Sequence, residues 1–331
     1  MTAIAIRGSG IAASGCAHIL TGTGLRVATE AVRRPSVPTI MLSDPALDLI
    51  RGVFDRPDLF ADRPRVRRRV VAWGGGPPVV VPHGAALASE AQVQAALAVP
   101  TATFDGPADF TIHTVPPVPA GEMRVFGDRN AVAARVRLRD SACAAEARIE
   151  AVESGWLYLV PDEARMGWLL GVGGPIDALL GQSALIAPVV DAVEAASTPF
   201  AASPRLSLPL HGDDWLACGT AALGFDPICG DGVAQSVREA ILAAAVVAGI
   251  AEGGDRAALL THYRSMLIAA MRRHLLLSAQ FYTNGGQGLW WRAQHAALME
   301  GHHWCTGLLA KLPEPRFLLD GFRLIPRAAA A

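Results

Sequence analysis

Lysine, charge and patterned cysteine are scarce in this chain. Lys311 is the only lysine among 331 residues, and charged residues make up 18% of the total. The net charge of −1 gives no general attraction to nucleic acid or to an acidic membrane surface. Scattered cysteines without a CxxC pair favour free buried thiols in a reducing cytosol over a disulfide framework. The cysteines are Cys16, Cys143, Cys218, Cys229 and Cys305.

The sequence also predicts neither a signal peptide nor a membrane-spanning segment. The chain opens with AIAIRGSG, which has no basic region before it and breaks at glycine, so a signal peptide is not expected. The longest apolar helix, predicted around residues 240–250, is shorter than the about 20 apolar residues that cross a bilayer. Because 51% of the residues are hydrophobic, we expect a soluble, cytoplasmic protein with an ample core.

Strand and helix patterns alternate at the start of the chain. Residues 3–29 predict strand, glycine turn, helix and strand, which is the order of a parallel βαβ unit. Further on, RRRVVAW and PPVVVPH predict a hairpin around GGG, and short alternating runs between residues 110 and 172 predict an antiparallel sheet. Helices dominate the predicted structure from about residue 255 to 309.

The first glycine turn is a candidate dinucleotide site. The run GSGIAA fits GxGxxG/A between a strand and a helix. Gly8 makes the tight turn, Gly10 lets the backbone approach a pyrophosphate, and Ala13 is the small residue that helix–strand packing requires. The N-terminus of the following helix then offers free N–H groups to the phosphates.

The ribose partner of such a dinucleotide is less well defined. Glu30 lies just past the second strand but one residue earlier than the usual spacing, so it either contacts the ribose or is a solvated charge. Arg33 and Arg34 either reach the phosphates of the adenosine half or are ordinary surface charges.

A second glycine turn lies at residues 224–232. The segment WLACGTAALGFDPICGDGVAQSVREAILAA resembles the second flavin-binding segment of the FAD-dependent monooxygenases, which include aromatic hydroxylases, flavin-dependent tryptophan halogenases and geranylgeranyl-reductase-like proteins. The family pattern is a strand ending in GDAA, then DPxxGxG, then a long helix. Asp226, Pro227, Gly230 and Gly232 match its second part. Thr220 replaces the aspartate that contacts the ribityl chain, which implies weaker or more exchangeable FAD.

The resemblance implies an α/β fold in which a Rossmann-like FAD-binding domain is assembled from both chain ends. Residues 1–60 and 205–255 would form that domain, to which 85–110 can be added, and 61–204 would form an inserted, mainly antiparallel-sheet substrate domain. Residues 256–331 would form a helical C-terminal part. FAD is long, so the first turn can hold its pyrophosphate while the second faces the flavin ring, whose negative charge after reduction a helix N-terminus stabilises.

Aromatic residues in GWLYLVP, residues 155–161, bear on the chemistry. The run is similar to the WxWxIP block of the halogenases, which implies that Trp156 and Tyr158 lie between flavin and substrate, although a half-buried strand has the same pattern. His83 follows a strand and is a candidate acid or base. Halogenation needs an early lysine, which this chain lacks, so hydroxylation through a flavin hydroperoxide is favoured.

The resemblance therefore implies an FAD-dependent monooxygenase that hydroxylates an aromatic, indole or tryptophan-type group, free or in a polypeptide. The polypeptide case is that of the family branch that matures tryptophylquinone cofactors. NAD(P)H would supply electrons directly or through a flavin reductase. An FAD-poor accessory protein on a degenerate flavoprotein fold and a flavin-dependent olefin reductase stay open as alternatives. We interpret His295, His302 and His303 as packing or surface residues rather than metal ligands.

Overall fold

The structure is a computed structural model that describes residues 2–33, 35–103, 106–140, 144–162 and 165–327, so Arg34 and Cys143 lie outside the described residues. The helices are α1 (Ile11–Gly22), α2 (Asp44–Phe54), α3 (Glu90–Ala96), α4 (Ile176–Leu180), α5 (Gly232–Ala251), α6 (Arg256–Gly285) and α7 (Leu289–Leu309). The strands are β1 (Ala3–Arg7), β2 (Arg26–Glu30), β3 (Ile40–Ser43), β4 (Arg65–Ala72), β5 (Val79–Ala88), β6 (Phe110–His113), β7 (Glu122–Val125), β8 (Asn130–Leu138), β9 (Glu146–Val152), β10 (Gly155–Pro161), β11 (Met166–Val172), β12 (Val190–Ala196), β13 (Phe200–Ala201), β14 (Arg205–Leu208), β15 (Trp215–Ala217), β16 (Leu223–Gly224), β17 (Phe317–Asp320) and β18 (Arg323–Pro326).

A parallel sheet joins distant parts of the chain. Its order is β15-β6-β1-β2, and each neighbouring pair is parallel. The register of β1 on β2 runs from Ala3 opposite Arg26 to Arg7 opposite Glu30, which is the predicted βαβ unit. The carboxyl ends of parallel strands meet at one edge, where open α/β sheets bind their ligands.

The large second sheet is mainly antiparallel. Its order is β12-β8-β11-β10-β9-β4-β5-β3, with β13 also paired to β8, and the β4–β9 contact is parallel. The predicted hairpin around GGG is β4–β5, in which Val71 lies opposite Val79. Strand β3, which lies inside the 1–60 segment, pairs with β5 in this sheet. A third sheet of order β16-β14-β7 leads the chain into the second glycine turn.

Helix α5 is longer than the sequence pattern suggested. It has 20 residues, and within the described part of the chain it is the helix with the length and hydropathy of a membrane span. About two thirds of it (67%) is buried inside the protein, as in the core helix of a soluble protein. Helices α6 and α7 form the predicted helical C-terminal part, and the β17–β18 hairpin follows them.

Candidate active site

The first glycine turn lies at the carboxyl edge of the parallel sheet. Gly8 and Gly10 have φ of 131° and 93°, a region that glycine adopts most easily. A Cβ at Gly8 would lie 2.2 Å from Thr114 Oγ1, so no larger residue fits. Ala13 is buried in the first turn of α1. Among the described residues no side chain caps α1, and its first turn carries no acid. The N-terminal N–H groups are thus available to an anion.

The acidic residue at the end of β2 is engaged in an ion pair. Glu30 Oε2 lies 2.9 Å from Arg7 Nε, and both side chains are about half exposed. Arg33 is exposed in the loop that follows. The N–H of Gly8 donates to the Glu30 carbonyl at 2.8 Å, so Glu30 lies at the edge that carries the first glycine turn.

Thr220 follows β15 at the same edge. It is exposed, and its Oγ1 donates to the carbonyl of Thr114 at 3.2 Å. The preceding Gly219 has φ of 56°, and a Cβ on it would lie 2.9 Å from that of Ala12 in α1. The segment that carries Thr220 therefore packs directly on the first glycine turn.

The buried carboxyl group of Glu239 contacts the segment that carries Thr220. Glu239 of α5 accepts a hydrogen bond from the backbone N–H of Gly219 at 2.8 Å and another from Gln235 Nε2 at 3.1 Å. Burial raises the pKa of Glu239 to about 8. Sequence reasoning missed this residue, since a glutamate inside an apolar helix gives no sign of which loop it touches.

The second glycine turn leads into α5. Gly230 has φ of 62°, and α5 begins at Gly232. Asp231 does not cap the helix but pairs with Arg238 at 2.9 Å. No described atom lies within 4 Å of a Cβ built on Gly232. The N-terminus of this helix thus faces open space, where its N–H groups can meet negative charge.

The Asp226 side chain points into the protein rather than toward this space. Its Oδ2 lies 3.0 Å from Arg129 Nε, with both side chains fully buried, and it accepts from the Tyr282 hydroxyl at 3.0 Å. Its Oδ1 accepts from the N–H of Ile228 at 3.1 Å, which fixes the one-turn helix that contains Pro227. Burial raises the pKa of Asp226, and the Arg129 guanidinium opposes that rise. Asp226 and Pro227 therefore set the shape of the turn.

A polar network joins this turn to the C-terminal helices. The backbone N–H of Asp226 donates to His274 Nε2 at 2.8 Å, and burial lowers the pKa of His274 to about 3. Trp156 Nε1 donates to the Tyr282 hydroxyl at 3.2 Å. Trp156 is fully buried, so its indole has no exposed face.

A cluster on the large sheet lies opposite the second turn. Arg69 Nη2 lies 3.2 Å from His83 Nε2 and 3.5 Å from the Tyr158 hydroxyl. The same Nη2 is 3.8 Å from a Cβ built on Gly230. The structure thus brings together two sequence-predicted residues, His83 and Tyr158, and adds Arg69, the last of the three arginines that open RRRVVAW.

Electrostatics in the cluster are set by burial and by one cation. Burial lowers the pKa of His83, the Arg69 guanidinium lowers it further, and Asp44 opposes both. Burial raises the pKa of Tyr158, so its hydroxyl stays protonated, and it donates to Met41 Sδ at 3.3 Å. At neutral pH the cluster therefore presents a neutral imidazole, a neutral phenol and one guanidinium.

Close packing of α1 on α5 sets the distance between the two turns. Cys16 Sγ lies 3.7 Å from the carbonyl of Ala240, and a Cβ on Gly15 would lie 2.9 Å from that of Ala240. The C-terminal end of α1 likewise shares a cavity with residues 245–252, so the two helices run parallel. Their starts are offset by about three residues, or about 4.5 Å, and packed axes are about 9 Å apart. The two N-termini are thus about 10 Å apart, within the length of one dinucleotide.

Solved structures that share this fold include a peptidyl tryptophan dihydroxylase, a flavin-dependent halogenase and a nitrophenol monooxygenase. The peptidyl tryptophan dihydroxylase QhpG, essential for tryptophylquinone cofactor biogenesis, is 20% identical with a TM-score of 0.72, covering 88% of this chain and 78% of its own. The flavin-dependent halogenase CmlS is 16% identical with a TM-score of 0.73, covering 93% and 71%. The p-nitrophenol 4-monooxygenase PnpA from Pseudomonas putida is 15% identical with a TM-score of 0.65, covering 94% and 98%. No family model and no curated protein sequence matches the chain.

The chain therefore has the fold of the flavin-dependent halogenases and monooxygenases, as the two glycine turns predicted. The site fits FAD by its own geometry. Two helix N-termini without side-chain caps face one edge, each preceded by a glycine with positive φ, and the exposed Thr220 lies beside the first of them. The parallel sheet would hold the adenosine pyrophosphate, and the start of α5 would hold the flavin ring.

Proposed function

We propose that the protein is an FAD-dependent monooxygenase that hydroxylates an indole-type ring, and that this ring belongs to a tryptophan in a polypeptide. The observation that carries the proposal is the position of Arg69, His83 and Tyr158 opposite the uncapped start of α5. A substrate between these groups would lie beside the flavin end of the cofactor. The likeness to the fold of a peptidyl tryptophan dihydroxylase supports the choice of ring.

Bound FAD supplies the activated oxygen, and the chain supplies position and proton transfer. Hydroxylation of an aromatic carbon ends with loss of the proton on that carbon. An arginine only donates hydrogen bonds, so Nε2 of His83 is the acceptor in its contact with Arg69. Once the substrate ring replaces Arg69 at this nitrogen, the freed lone pair can take that proton. The lowered pKa of His83 keeps this nitrogen unprotonated at neutral pH.

Lysine chemistry is not supported at this site. Lys311 lies in the turn after α7 and is exposed, outside the Arg69, His83 and Tyr158 cluster. Arg69 stays protonated and cannot form the covalent adduct that halogenation by a lysine requires. Hydroxylation is therefore the reaction that the cluster fits better.

Flavin content and product analysis test the proposal. Purified protein should be yellow, or become so with added FAD, and NAD(P)H, alone or with a flavin reductase, should support oxygen uptake. With a tryptophan peptide and ¹⁸O-labelled O2, mass spectrometry should find labelled oxygen on the indole. A colourless protein that ignores FAD would instead support the accessory role, and reduction of an olefin without oxygen uptake would support the reductase.

A histidine pair tests the assigned proton acceptor. We expect His83→Gln to lower the hydroxylation rate about 100-fold while FAD stays bound, because glutamine cannot take the ring proton. His211→Gln is the matched control, since His211 is also partly buried with a lowered pKa but lies beside β15. Equal rates in the two variants would remove His83 from the mechanism.

A further inference from the structure

The outer half of β5 has one edge without a strand partner. Strand β4 pairs with β5 from Val79 to Ala86, whereas β3 covers the other edge only from Ala85 to Ala88. Among the described residues no strand pairs with that edge between Val79 and His83. Backbone N–H and C=O groups along such an edge are a template for another extended chain, except at Pro82, which offers a C=O but no N–H.

The side chains along this edge are apolar and exposed. Val79, Val80 and Val81 have 58%, 59% and 43% of their surface exposed. On α6, Leu277 and Phe281 are also exposed, by 44% and 39%. Trp73 Nε1 donates to the Phe281 carbonyl at 3.0 Å, which holds the β4–β5 hairpin against α6. We call Val79–His83 the free β5 edge.

The free β5 edge leads directly to the cluster opposite the second glycine turn. Val81 lies opposite Arg69 in the register, and Val79 and His83 share its face because strand side chains alternate. A segment paired to this edge would lie about 4.8 Å from β5, with every second side chain on that face. A tryptophan at such a position would reach the space between His83 and the start of α5.

The arginines of β4 beside the free β5 edge determine which charge a paired peptide segment should carry. Arg65 and Arg68 pair with Asp44 and Glu146. Arg67 and Arg69 form no ion pair with any described carboxylate, and Arg67 is exposed. An acidic segment complements these two cations, whereas a basic segment would be repelled.

We propose that the free β5 edge binds an extended, acidic segment of the polypeptide substrate by strand addition and so presents its tryptophan to Arg69, His83 and Tyr158. This inference rests on the proposed function, which it refines by stating how the substrate binds. Main-chain hydrogen bonds give such a complex its affinity, and alternate side chains give it specificity.

Peptide binding to the FAD-loaded protein tests the edge separately from turnover. The probe is a synthetic twelve-residue peptide of alternating threonine and valine with one central tryptophan flanked by two glutamates. Two further versions carry backbone N-methyl groups on the odd or on the even residues. Because only every second N–H faces a partner strand, one version should bind like the parent and the other about tenfold more weakly. Replacing the glutamates with lysine should also weaken binding.

Two protein variants complete the test. We expect Val80→Lys to weaken peptide binding and raise KM for the peptide about tenfold, since a charge on an edge strand blocks pairing. Its kcat with free N-acetyltryptophanamide should be unchanged. Val125→Lys is the matched control, because Val125 is 47% exposed on β7 of another sheet.

Several outcomes would overturn the inference. Equal binding of the two N-methylated peptides, or wild-type peptide affinity in Val80→Lys, would show that the edge does not bind the substrate. A wild-type dimer that Val80→Lys converts to a monomer, with peptide binding unchanged, would assign the edge to a second copy of the chain. Failure of the proposed function is a separate result, since it would appear as absent hydroxylation even where the parent peptide binds with the predicted N-methyl pattern.

Discussion

Asp226 and Arg129 form an ion pair with no exposed side-chain surface, 3.0 Å apart, directly beneath the second glycine turn. Removing the negative partner leaves a buried guanidinium without its countercharge, so Asp226→Asn should lower the free energy of unfolding by about 3–5 kcal/mol. Asp231→Asn is the control, because that residue pairs with Arg238 at the surface and should cost less than about 1 kcal/mol. Urea unfolding measures both, and equal losses would mean that burial of the pair is unimportant.

Glu239 makes stability depend on pH. Its folded pKa of about 8 lies above its ordinary value of 4.5, so its contribution is fully present below pH 4.5 and is lost as pH rises toward 8. His274 has a folded pKa of about 3, below its ordinary value of 6.5, so it raises the free energy of unfolding as the pH rises from about 3 to 6.5. Between pH 6.5 and 8, the carboxyl of Glu239 should therefore lower the free energy of unfolding by about 2 kcal/mol relative to a variant that lacks it.

Glu239→Gln provides the comparison for this pH dependence. Glutamine keeps the acceptor oxygen for the Gly219 N–H but does not titrate. In urea unfolding, the wild type should lose about 2 kcal/mol more than the variant between pH 6.5 and 8. A decline of the same size in both proteins would assign the effect to another group.

At the scale of elements, the contact between α1 and α5 holds the two helix N-termini in place. A side chain at Gly15 would press on Ala240, so Gly15→Val should cost about 1–3 kcal/mol and weaken FAD binding by moving the helices apart. Gly22→Ala in the same helix meets no described atom within 4 Å and should raise stability by up to about 1 kcal/mol. FAD titration and urea unfolding measure both variants. Unchanged FAD affinity in Gly15→Val would contradict this role of the contact.

The elements with local sequence signals were predictable, and those built from long-range contacts were not. GSGIAA between an apolar strand and a helix predicts the βαβ unit, because each of its glycines has a local geometric task. The enclosure of Asp226 was not predictable, since Arg129, His274 and Tyr282 approach it from separate elements. The β17–β18 hairpin was also missed within a segment interpreted as helical.

The residues of the candidate site also divide into those that local sequence predicts and those that only long-range contacts bring into place. His83 and Tyr158 could be singled out because each belongs to a recognisable strand pattern, although β5 does not end before His83 as predicted but continues to Ala88. Their common neighbour Arg69 could not be distinguished from the adjacent arginines, because only the pairing of β4 with β5 places it beside His83. The role of Glu239 depends on a contact with a loop 20 residues away.

For the whole molecule, the spacing of the two glycine turns predicts a preference for the complete dinucleotide. FAD at 100 times its Kd should stabilise the protein by about 2.7 kcal/mol, a rise in Tm of about 4 °C. FMN lacks the adenosine half and cannot reach the first turn, so at the same concentration it should give a smaller rise. Thermal unfolding with each flavin measures this, and equal shifts would mean that only one turn binds the cofactor.

The order of the strands along the chain has a consequence for biosynthesis. Strand β6 ends at His113, and its parallel neighbour β15 begins at Trp215, about 100 residues later. At 5–20 residues per second, a translating ribosome needs about 5–20 s to make that interval. During this time the nascent chain acquires the remaining strands of the large sheet, β8 to β13, while the parallel sheet still lacks its fourth strand. A product of premature termination shortly before Trp215 would therefore carry the strands of the large sheet but lack β15 and α5.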